Sequence, residues 1–172
     1  MNGRKTLGWR GTSIILAIIA ITTLFTCGCP NLISISKMEH LSAKLDGTGM
    51  TEKIENKAVL IVFWARMSTP CKELLPELCQ LQNKYRDKGL VIITVNQDGI
   101  ESASAVAATL QEFKAELKTI HDSGQISDEF RVEGLPAAYL FNRKHILVEQ
   151  KEIDTDDIKQ LEAAIVKVLA TE

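Results

Sequence analysis

The chemistry this 172-residue sequence could support centres on the stretch Met67-Ser68-Thr69-Pro70-Cys71. Aligned backbone amides at the start of a helix favour negative charge, so a thiol in the first helical turn, as Cys71 is expected to be, is a candidate nucleophile. Ser68 precedes it by three residues, the spacing at which a serine oxygen at the N-cap accepts the N3 amide hydrogen. A hydrolytic role for Ser68 would need a base, and no histidine lies near it in the sequence. Cys79 is eight residues beyond Cys71, which on one helix separates them by about 12 Å, too far for a disulfide. Met67, Cys71 and His121 would make a soft ligand set suited to Cu(I), but His40, His121 and His145 fall in separate elements without ligand spacing. The glycines form no phosphate cradle and no paired carboxylates suggest acid–base work. No metal and no cofactor are expected.

The elements that must position this loop can be read from hydropathy. Residues 58–64 (AVLIVFW) form a continuous apolar run, the pattern of a strand buried on both faces. After Pro70, the residues Leu74, Leu78, Leu81 and Tyr85 recur on one helical face. Lys88-Gly89 ends that helix and 90–95 (LVIITV) reads as a second buried strand. A helix over 103–113, a short strand over 117–121 and a short helix over 123–130 capped by Ser123 are predicted next. Two strands over 137–142 and 145–150, around a turn at 142–144, precede a last helix. That helix starts at Asp154, carries Asp157 in its first turn and buries Ile158, Leu161, Ile165 and Leu169. The order is that of a mixed α/β domain.

The N-terminus is of a different character. Residues 1–36 carry Arg4, Lys5 and Arg10 and no acid, and the 26 residues from Gly11 to Ser36 are uncharged. Basic residues ahead of an apolar block have the polarity of a signal peptide or signal anchor. Leu24-Phe25-Thr26-Cys27-Gly28-Cys29 resembles the lipobox of bacterial lipoproteins, which makes Cys27 and Cys29 candidate lipidation sites. The expected organisation is therefore a signal, anchor or lipoprotein segment over 1–36, a polar tether and first elements over 37–56, and a folded domain over 57–172. The domain is expected to be membrane-attached and to face the periplasm or the extracellular side. Without 1–36 the chain has net charge −5, and aromatics make up only 5% of the whole. An acidic body with few stacking side chains excludes nucleic acid as an expected partner.

Three stretches resemble the thioredoxin superfamily, in particular its membrane-anchored extracytoplasmic branch typified by the TlpA and ResA proteins. They are Val62-Phe63-Trp64-Ala65, the loop and helix start from Ser68 to Leu78 with proline at Pro76, and Val132 to Phe141 containing Leu135-Pro136. The resemblance implies a thioredoxin-like fold, a central mixed sheet flanked by helices. It also implies a cis Pro136, an active-site loop of Trp64, Met67, Ser68, Thr69 and Pro70, and partners that are protein thiols or disulfides. Family members that exchange disulfides use Cys-x-x-Cys, one thiol attacking and the other resolving the mixed disulfide. Here Ser68 takes the first position, Met67 stands where a tryptophan is common, and Val62 occupies the site of a buried acid. The resemblance thus implies a degenerate site. One expected function is monothiol redox chemistry at Cys71. The other is a non-catalytic module in which Leu135 and Pro136 hold an extended peptide or partner protein.

Overall fold

The computed structural model describes residues 54–171, together with Met38, Leu41 and Ala43 before them. The expectations for residues 1–36, Cys27 and Cys29 included, and most of those for 37–53 lie outside the described residues. No helix among the described residues is long and apolar enough to cross a membrane.

Five strands form one sheet: β1 (Ala58–Trp64), β2 (Leu90–Asn96), β3 (Lys118–His121), β4 (Ala137–Phe141) and β5 (Leu147–Glu152). Their spatial order is β3-β2-β1-β4-β5, with β1, β2 and β3 parallel and β4 antiparallel to both β1 and β5. All seven residues of β1 and all seven of β2 are buried, as their unbroken apolar runs require of strands covered on both faces. One face packs Val59, Ile61 and Phe63 against Phe130, Tyr139, Met38 and Leu41. Rings of Phe63, Phe130 and Tyr139 meet there with centroids 5.1 to 5.4 Å apart in tilted and edge-on pairs, the arrangement that aromatic quadrupoles favour. The opposite face packs Leu60 and Val62 against Leu74 and Leu78 of α1 (Thr69–Tyr85) and Leu161 and Ile165 of α4 (Ile158–Ala170). The remaining helices are α2 (Ala103–Glu112) and α3 (Gln125–Phe130).

Three details depart from the sequence reading. Ser123 does not cap α3; the buried Asp122 does, its Oδ1 accepting from Ile126 N (3.0 Å) and its Oδ2 from Ser127 N (2.9 Å) and Ser127 Oγ (2.6 Å). A carboxylate offers two acceptor atoms where a hydroxyl offers one, and it satisfies more of the helix's free amides. The last helix starts at Ile158 rather than Asp154, because Asp154 and Asp157 exchange side-chain-to-backbone bonds that close a turn first. On α4, Val168 is buried and Leu169 only partly so.

Burial alone would disfavour the charge on Asp122, but the Ser127 hydroxyl and the amides of Ile126, Ser127 and Gly124 outweigh it and hold the carboxyl below its usual range. A group depressed in the folded state adds stability above its unfolded value, near 3.9, and loses it as pH falls toward the folded one. Asp122→Ala is expected to cost about 2 kcal/mol at neutral pH. Its penalty should shrink below about pH 4, measured by denaturant unfolding at both pH values.

Candidate functional site

The site assembles where β1 ends and β4 begins. Phe63 pairs with Ala137, so the residues that follow one strand lie beside those that precede the other. Leu135-Pro136 is a cis peptide, as the family resemblance implies. Across β1, Arg66 N donates to Asp98 Oδ2 (2.8 Å), which also accepts from Asn96 Nδ2 (2.8 Å), and Gln97 N donates to Trp64 O (3.0 Å). The loop after β2 thereby clamps the loop that leads to Ser68.

α1 begins as the spacing predicts. Ser68 is the N-cap, in extended backbone geometry, and its Oγ accepts from Cys71 N at 3.4 Å. Thr69 and Pro70 follow, exposed, with proline in the first turn where its missing N–H is no loss. Met67 stands outside, 76% exposed, while Cys71 points inward and is only 1% exposed. The thiol lies in a small apolar cluster with Trp64, Leu75, Val106 and Ala115, and Leu135 packs against that cluster. The structure therefore brings Trp64, Cys71, Leu135 and Pro136 together, with Met67 and Ser68 on the loop above. Trp64 is a core residue, yet its Nε1 has no hydrogen-bond partner among the described residues.

Among the described residues, the buried cluster around Cys71 holds no titratable group besides the thiol. Val62 is buried between Thr94 and Ala138, and the Thr94 hydroxyl is engaged with Thr119 Oγ1 (2.7 Å). Cys79, farther along α1, is half-buried, and its Sγ accepts from Glu116 N at 3.1 Å. His121 ends β3, two strands from Trp64, so it does not join Met67 and Cys71 as a ligand set. Among the described residues no group of three histidine, cysteine or acidic side chains is placed to hold a metal. The sequence reading missed Asn96 and Asp98, which set the loop. Their signal was available: an Asn and an Asp two apart just after a buried strand form side-chain turns with their own backbone.

A mixed sheet of this order, a helix opening on the Ser68 loop and a cis proline beside it define a thioredoxin-like domain. The chain belongs to the AhpC/TSA family, whose model matches residues 37–150. It is 29% identical over 105 residues to the thiol-disulfide oxidoreductase ResA of Oceanobacillus iheyensis, covering 60% of this chain and 54% of that protein. With ResA of Bacillus thuringiensis it shares 29% over 116 residues, 67% of this chain and 65% of that one. It thus spans between about half and two thirds of these relatives' length. Among solved structures, a candidate thiol:disulfide interchange protein DsbE of Chlorobium tepidum superposes with a TM-score of 0.64 and 28% identity. That match covers 68% of this chain and 83% of the other.

Ser68→Cys should put a second sulfur at the cap position over Cys71 and form a loop disulfide under oxidising conditions, seen as loss of one titratable thiol pair. In the unaltered protein, a thiol reagent should label Cys79 first, and Cys71 only at the rate of local opening. Labelling resolved by peptide mass checks both.

Proposed function

We propose that the chain is a membrane-attached, extracytoplasmic thioredoxin-like protein that works in thiol–disulfide processes by holding extended segments of partner proteins, without two-thiol turnover. The observation that carries this reading is the placement of the one thiol at the site: Cys71 is 1% exposed beneath a serine-capped loop. A thiolate must reach its disulfide in line to attack it, and a serine hydroxyl in the outer position forms no reversible bond to sulfur. Chemistry is lost at the outer position while the surface around it is kept. Met67 offers an exposed, polarisable thioether of the kind that adapts to varied partners. The Leu135 backbone ahead of Pro136 offers an edge on which an extended segment can lie. The names of the relatives supply the setting, thiol–disulfide exchange. The three basic residues ahead of 26 uncharged ones support attachment through residues 1–36.

A second reading is monothiol exchange at Cys71, favoured by its place in the first turn of α1. It requires the loop to open before the sulfur is attacked. Full-length protein assayed for insulin-disulfide reduction and for binding a cysteine-free extended peptide separates the two. The holding reading expects no turnover, peptide binding that survives Cys71→Ala, and binding about tenfold weaker in Met67→Asp. Because Met67 is exposed, that variant should unfold within about 0.5 kcal/mol of the unaltered protein. Mixed disulfides that form in the native protein and vanish in Cys71→Ala, with no peptide binding, would replace it by the monothiol reading.

A further inference from the structure

The end of the domain opposite Ser68 has a different chemistry. It is built from the segments before β1, after α1 and between β4 and β5, and Arg143 ties them: Nη1 donates to Asn56 O (3.4 Å) and Nη2 to Lys88 O (3.0 Å). Beside Arg143 lies a cavity of about 440 Å³ lined by Tyr85, Lys88, Arg143, Val166, Leu169 and Ala170. Two of these residues are cations, none is an acid, and three are apolar residues of α4. Lys88 Nζ stands over the Tyr85 ring at 5.1 Å, with no carboxylate paired to it in an ion pair among the described residues. The carboxylate closest in sequence on α4, Glu162, is taken up by Lys84 Nζ and Tyr85 Oη, each at 2.7 Å. Arg143 Nε is buried without a hydrogen-bond partner among the described residues. Val166, 46% exposed, is one of few large apolar side chains left open. In the sequence, Arg86 and Asp87 adjoin Tyr85 and Lys88, Lys144 follows Arg143, and Glu55 precedes Asn56.

We infer that this end docks on anionic phospholipid, with Lys88 and Arg143 meeting headgroup phosphates and Val166, Leu169 and Ala170 facing the acyl boundary. A body of net charge −5 that gathers cations around an apolar recess has the charge complementarity an anionic surface needs, and cations beside exposed apolar side chains match a headgroup above its chains. Docked this way, β1 stands between the membrane and the Ser68 loop, holding the candidate site about 20 Å from the surface and turned away from it. The inference does not depend on whether Cys71 exchanges disulfides.

The test is hydrogen exchange of full-length protein on vesicles of phosphatidylcholine alone and of an equal mixture with phosphatidylglycerol. Flotation with phosphatidylcholine alone reads attachment through residues 1–36 separately. Exchange at 84–89, 142–146 and 164–170 should slow only in the anionic vesicles, with the sheet strands unchanged. Lys88→Ala should reduce the docked population about fivefold and Lys88→Glu more, and Val166→Ser should weaken it without altering the salt dependence. Equal exchange in the two vesicles, or slowing that persists in Lys88→Glu, would overturn it.

Discussion

The inward turn of Cys71 is the constraint on which the rest of the site depends. A residue in the first turn of a helix can face solvent or core, and here Ser68 at the cap and Pro70 behind it fix the helix start so that the next side chain enters the cluster of Trp64, Leu75 and Val106. Once the thiol is inside, the loop above presents only Met67, Ser68, Thr69 and Pro70 to a partner. None of these side chains holds a second thiol that could take part in exchange. The loop cannot slide to release Cys71 cheaply, because Arg66 and Gln97 bind it to the loop after β2 through Asp98 and Trp64. The same burial that makes Cys71 a core residue keeps its sulfur out of direct reach of a partner's disulfide while the loop stays closed.

The clamp also holds the loop in shape without a thiol at the cap position. Replacing a cysteine by serine at the cap keeps a side-chain acceptor for the Cys71 amide, and serine is among the residues preferred there. Val62, at the position where the resemblance places an acid, fills space between Thr94 and Ala138 and removes the cost of burying a charge. Both residues suit the fold at their positions, and neither supplies the second thiol or the acid that two-thiol exchange would use.

Much of this was legible in the residues. The boundaries of β1 coincide with the apolar run because a strand between two neighbours must be apolar on both faces, and the run ends where the loop becomes exposed. The Ser68 cap followed from local geometry alone. What could not be read was pairing distant in sequence and the choice among competing local side-chain hydrogen bonds. The register that brings Ala137 opposite Phe63 places Leu135 against the cluster that holds Cys71, and the resemblance rather than periodicity anticipated it. Asp122 was overlooked because a buried acid next to Ser123 looks like an unlikely cap until its several donors are counted. The beginning of α4 was misplaced because Asp154 and Asp157 satisfy one another's backbone before the helix does. At both helix starts the difference comes from side chains competing for the same backbone hydrogen bonds.

The two ends of β1 carry opposite chemistry, and the sheet keeps them apart. At its C-terminal end the clamp is built on Asp98, with Met67 and the cis Pro136 beside it. At its N-terminal end Arg143 draws three segments together through carbonyl oxygens, so its guanidinium is fixed without being neutralised by a carboxylate. A cation held this way keeps its charge available to the outside while contributing to the fold. Seven fully buried residues join the ends, and a strand hydrogen-bonded on both sides transmits position rather than motion. Whatever meets one end therefore sets the direction in which the other is presented, and the proposed docking on anionic phospholipid would use that geometry to keep the Ser68 loop in the aqueous phase.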